Sequence, residues 1–179
     1  WPLLDPLAAQ ARYPKEATSE EIVAALPEGS ALVELALDPE LELAWGFVVD
    51  RRGLAMVELG DPKAIKAMLD ELVSDLRRSS WDPSVRVSRG LGRLILDPVL
   101  AKLEAGEARP KRLFVSLHGD LARIPLEILL TKDVAEDAPR AELPLLLREF
   151  VVSYVPSAST WLAMRRMPSA ASRGRSRPL

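Results

Sequence analysis

The apolar positions of this chain fall into two kinds of pattern. Short runs over 31–37 (Ala-Leu-Val-Glu-Leu-Ala-Leu), 43–50 (Leu-Ala-Trp-Gly-Phe-Val-Val-Asp) and 54–58 (Leu-Ala-Met-Val-Glu) predict three strands. Arg51-Arg52-Gly53 between the last two is short and contains glycine, so the three should form an antiparallel meander. Helical spacing then takes over. Ile65, Met68, Leu69, Leu72, Val73 and Leu76 recur every three or four residues behind Asp61-Pro62, an N-cap followed by proline at the first helical position. A second helical pattern runs from Val85 to Leu103, with Pro98 expected to kink or break it.

The remaining elements follow from local signals. Thr18 and Glu21 have capping-box spacing and predict a short helix carrying Ile22, Val23 and Leu26. Arg112–Leu117 reads as a buried strand, Pro125–Leu130 as a short helix and 131–144 as a loop. Phe150–Val155 reads as the next strand, and Ser157 or Ser159 should cap a helix holding Trp161, Leu162 and Met164. Residues 1–19, punctuated by Pro2, Pro6 and Pro14, are expected to be a linker or the end of a preceding domain. Residues 166–179 are expected to be a flexible Arg/Ser-rich tail.

Composition narrows the chemistry. The 179 residues suffice for one domain, and 48% hydrophobic with 28% charged residues is ordinary for a globular chain. With a net charge of −2 no global field argues for nucleic acid or membrane, neither of which is expected as partner, and no apolar run approaches the roughly 20 residues of a membrane span. The chain has no cysteine, which removes disulfides, thiolate chemistry and the usual zinc ligands. With His118 as the single histidine, no metal site and no cofactor are expected. These features fit a cytoplasmic protein. The start, Trp1-Pro2-Leu3-Leu4-Asp5, has neither an initiator Met nor a basic leader region and is read as a cut from a longer chain.

Two segments carry a family likeness: Leu117-His-Gly-Asp-Leu-Ala-Arg-Ile-Pro-Leu-Glu-Ile-Leu129 and Val152-Ser-Tyr-Val-Pro-Ser-Ala-Ser159. Leu26 to Glu34, Val48 to Gly53 and Leu96 to Leu100 add to it in the same order. Over about residues 20–165 the chain resembles the N-terminal portion of the CHAT family, the caspase-like peptidase domain associated with tetratricopeptide repeats. The resemblance implies an α/β caspase-like fold: a small antiparallel meander, helices, and the first strands of a mostly parallel central sheet. It implies a cysteine peptidase whose histidine and cysteine follow later strands, so no catalytic residue carries over to this chain. The motif positions are Gly119, Leu121, Pro125, Glu127, Tyr154, Pro156 and Ser157, and all are expected to be structural. The implied partners are the C-terminal half of the same domain, a protein or peptide substrate, and tetratricopeptide repeats upstream. A non-catalytic scaffold or interaction module is the alternative. Without its C-terminal half the segment should expose a sheet edge and be poorly soluble.

Other constellations are weaker. Ser116 and His118 share a strand face, but neighbours on one face are expected to sit farther apart than the about 3 Å of a nucleophile–base pair. His118 is read as a turn residue. Gly90-Leu91-Gly92 lacks the strand and third glycine of a phosphate loop and is read as close packing of a helix on the sheet. Glu127 should cap backbone N–H groups or pair with Arg123 or Arg148, with a general base as the competing reading. Arg165, Arg166, Arg173, Arg175 and Arg177 read first as a solvated loop, with RNA contact or proteolytic processing as competing readings. Trp1, Trp45, Trp81 and Trp161 are scattered; Trp45 is read as core or hairpin packing.

Overall fold

The structure, a computed structural model, describes residues 14–38, 40–78, 84–106 and 108–167. Trp1, Trp81, Arg173, Arg175 and Arg177 lie outside the described residues, as do most of the expected linker and tail. The protein is α/β, built on a five-stranded mixed sheet.

Helix α1 (Ser19–Ala25) opens with both halves of the capping box: Glu21 N–H donates to Thr18 Oγ1 and Thr18 N–H to Glu21 Oε2. Strands β1 (Ser30–Asp38), β2 (Leu43–Asp50) and β3 (Gly53–Glu58) form the expected meander. Helix α2 (Pro62–Arg77) starts where Asp61 accepts Ala64 N–H at 3.0 Å. Helix α3 (Val85–Leu91) passes through a π-turn at Gly92–Leu96 into helix α4 (Asp97–Glu104). Strand β4 (Arg112–Gly119) follows, then one-turn 3-10 segments at Asp120–Arg123, Leu126–Ile128 and Arg140–Glu142. Helix α5 (Leu146–Glu149), strand β5 (Val151–Tyr154) and helix α6 (Ala158–Arg166) complete the described chain.

The strand order is β3-β2-β1-β4-β5. The meander pairs antiparallel, whereas β4 joins β1 and β5 joins β4 in parallel. The sheet is therefore mixed rather than mostly parallel. β1 lies at its centre because the meander takes one edge of that strand and β4 takes the other.

Alternation along the strands divides the sheet into two faces. On one, Val33, Leu35, Val48, Val57, Leu113 and Val115 pack under α2, α3 and α4. Leu69, Leu72, Leu91 and Ile95 are wholly buried there. Each such side chain contributes about 1.5–3 kcal/mol relative to exposure. On the other face, Leu32, Val49 and Phe114 meet Ile22 and Leu26 of α1 and Trp161 and Leu162 of α6. The Phe114 and Trp161 rings lie 5.2 Å apart.

Several expectations need correction. Pro98 does not break the helix: helical structure runs on from Val85 to Glu104 through the π-turn. The proline has no N–H for the Leu94 carbonyl, the ladder widens so that Asp97 N–H reaches Gly92 O, and Leu94 O instead accepts Gly60 N–H at 2.8 Å. Gly92 packs not on the sheet but against the chain at Leu130, whose carbonyl oxygen would lie 2.1 Å from an added Cβ; Gly90 faces Met68 of α2. The expected helix at Pro125–Leu130 is a single 3-10 turn, and the unforeseen α5 precedes a shorter β5.

Candidate functional site

The motif residues gather at the C-terminal ends of β4 and β5, the end of a parallel pair where ligands commonly bind. β4 ends at Gly119 with φ +65°, and an added Cβ there would lie 2.4 Å from Leu37 O. Only glycine meets both demands. The chain then turns under the sheet, burying Leu121, Ile124, Leu126 and Leu129. Pro125 stays exposed at the joint between the two 3-10 turns.

Tyr154 fastens this turn to β5. Its hydroxyl accepts Leu126 N–H at 2.8 Å and donates to Glu127 Oε2 at 2.5 Å. Burial of the hydroxyl, reinforced by the Glu127 carboxylate, holds its pKa far above the usual tyrosine value. Glu127 thus accepts from Tyr154 rather than pairing with Arg123 or Arg148. Arg123 instead pairs with Asp70 at 2.7 Å, and that guanidinium, with Lys66, holds the Asp70 carboxyl below its ordinary value.

Past Tyr154 the chain reverses at Pro156. Ser157 then caps α6, its Oγ accepting Thr160 N–H at 3.1 Å. Ser159 Oγ accepts Ala17 N–H, which ties the entry to α1 onto α6. Between these segments lies an open groove of about 480 Å³ lined by Leu117, Ala122, Arg123, Ile124, Pro125, Tyr154 and Val155.

His118 is not a turn residue: it lies in β4, paired in register with Ala36. It is also closer to Ser116 than strand spacing suggests. Ser116 Oγ lies 3.0 Å from His118 Nε2, and Glu34 Oε1 lies 2.7 Å from the same nitrogen. The side chains lean together because Glu34, opposite Ser116 on β1, draws the imidazole back along the sheet. The distance suits a nucleophile and base; the proton arrangement does not. Ser116 is wholly buried and donates its hydroxyl to Pro156 O at 3.0 Å. Nε2 serves Glu34 and Ser116 together, so the acid lies on the nitrogen that faces the serine, whereas in a catalytic triad it holds the other one. The cluster locks the β4 end to the Pro156 turn.

Two polar clamps were invisible as sequence motifs. Buried Ser88 donates to Ile128 O at 2.8 Å and accepts Leu130 N–H at 3.1 Å. Arg89 grips both oxygens of Asp97, at 2.9 and 2.8 Å, and reaches Asp133 at 2.5 Å. Together they hold the segment after the motif against α3. On the other side, Glu149 meets Thr131 and pairs with Arg109 at 2.7 Å, while the Arg109 guanidinium lies over Phe150.

No group of three potential metal ligands occurs among the described residues, and no helix among them is long and apolar enough to cross a membrane. No protein-family model matches the chain, and no curated protein matches it.

Proposed function

We propose that this chain is the N-terminal scaffold portion of a CHAT-family, caspase-like cysteine peptidase. The observation that carries the reading is the bond network of Tyr154. It joins the two segments on which the resemblance rests, Gly119–Leu129 and Val152–Ser159, at one end of a parallel strand pair. On this reading the next strands of the domain add to the outer edge of β5, and the groove beside Pro125 and Tyr154 forms one wall of the substrate cleft. The histidine and cysteine then come from residues beyond this chain. A histidine takes the thiol proton and the thiolate attacks a peptide carbonyl. The partners are the C-terminal half of the domain, a protein or peptide substrate, and tetratricopeptide repeats upstream; the setting is the cytoplasm.

The test is to sequence and express the natural polypeptide past Leu179 and assay it on a fluorogenic peptide library. A following strand with His-Gly, then a strand with Cys, and hydrolysis lost on Cys→Ala, supports the peptidase. A continuation lacking that pair, or an inert one, favours the second reading, a non-catalytic interaction module. One observation speaks for that reading: among the described residues, one sheet face leaves Leu43, Leu54 and Met56 exposed.

A further inference from the structure

Among the described residues, α1 and α6 cover only part of the sheet face they pack on. The helices seal the row Val49, Leu32 and Phe114. Helix α1 reaches across to β2 and β3, but beyond it the same face carries Leu43, Trp45, Phe47, Leu54 and Met56, large parts of which no element among the described residues covers. Met56 is 69% exposed, Leu54 52% and Leu43 46%. Trp45 and Phe47 contact each other edge to face at 4.8 Å and are only partly covered. Such a continuous exposed apolar area marks an interaction surface.

Its charge is one-sided. Glu58 lies opposite Trp45, Glu34 opposite Phe47 and Asp38 opposite Leu43, all on this face. At the described positions of this face on β1, β2 and β3 the ionisable side chains are Glu34, Asp38 and Glu58; His118 of β4 lies 2.7 Å from Glu34. A second copy of the chain would bring acid against acid, and an anionic lipid surface would be repelled in the same way. A strand added outside β5 would lie five strand spacings from β3, roughly 24 Å away, so an extended sheet would not roof this half either.

We propose that this face docks a basic amphipathic helix of a partner protein. Its apolar stripe lies on Trp45, Phe47 and Met56, and its lysines or arginines meet Glu34, Glu58 and Asp38. The form follows from the other half of the face, where helices α1 and α6 already lie. The bare area runs about 14 Å along the strands from Leu43 to Phe47, which matches a helix of roughly three turns. This inference is independent of the peptidase reading.

The test uses the full chain and two labelled 18-residue helical peptides, one of leucine and lysine and one of leucine and glutamate, in fluorescence anisotropy. The basic peptide should bind at least tenfold more tightly than the acidic one, with affinity falling as salt rises. Met56→Lys should weaken it at least tenfold and Glu58→Gln by a few-fold. Leu147→Lys, on exposed α5, should leave it unchanged. Equal binding of the two peptides, or indifference to Met56→Lys, overturns the proposal. So does concentration-dependent dimerisation in light scattering that Met56→Lys abolishes, which would assign the face to a second copy. Both lysine variants replace exposed side chains, and matching melting curves exclude misfolding as the cause.

Discussion

The two faces of this sheet are cut from the same strands and end in opposite conditions. Val33, Leu35 and Val57 point into a core sealed by three helices. One residue along, Glu34 and Met56 point to a face that is half roofed and half open. Alternation decides which side chains share a face; only the supply of helices decides whether that face is closed. The long connection from β3 to β4 spends α2, α3 and α4 on the first face. Among the described residues the second receives the short α1 and α6, which cover the end of the sheet nearest Leu32 and leave the end nearest Trp45 open.

Substitutions on the two sides should separate this contrast into numbers. Leu69→Ala, at the centre of the sealed face, should cost about 2–5 kcal/mol in denaturant unfolding, because the cavity cannot collapse under three helices. A cost under 1 kcal/mol would mean that this core is loosely packed. Tyr154→Phe should cost about 1–3 kcal/mol, since Leu126 N–H and Glu127 both lose their partner. It should leave the α6 side unchanged, as read by Trp161 emission. Ser157→Ala on the roofed half should cost about 1 kcal/mol through loss of the α6 cap, with Ser157→Gly nearer neutral. Met56→Ser on the open half should stay within about 0.5 kcal/mol, and a larger loss would show that something already covers it.

Acid should act on the closed side through Glu149. Burial alone would raise its pKa, but the Thr131 hydroxyl and the Arg109 guanidinium outweigh that and hold it below the ordinary glutamate value. A depressed folded-state value means stability that is present above the unfolded pKa of about 4.3 and lost as pH falls through the folded one. Glu149→Gln should therefore flatten the fall in stability below about pH 5, measured by urea unfolding at several pH values.

Much of the fold was legible because its signals are local. The meander, the Asp61-Pro62 start, the Thr18–Glu21 capping box and Ser157 as a cap all depend on neighbours within a few residues, and each stands where the pattern put it. What was not legible depends on distant contacts. Pro98 reads as a helix breaker until Gly60 supplies the N–H that Leu94 lacks. Ser116 and His118 read as too far apart until Glu34, on another strand, draws the ring toward them. Glu127 had arginines close by in sequence, yet its partner Tyr154 arrives on β5. The bare face was missed for the same reason: Trp45 and Met56 alternate like core residues, and alternation carries no information about a missing cover.

The central place of β1 also has a consequence in time. On one side it pairs with β2 across a turn of a few residues, a contact that forms quickly. On the other, Ser30 must wait for Arg112, which comes only after the meander and the whole of α2 to α4. Closing so long a loop is slow, and until it closes one edge of β1 is unpaired. During synthesis the half-built sheet would present that strand, Ala31 to Leu37, as a template for any extended chain nearby. The polypeptide is most exposed to misassembly in the interval between the making of β1 and the arrival of β4.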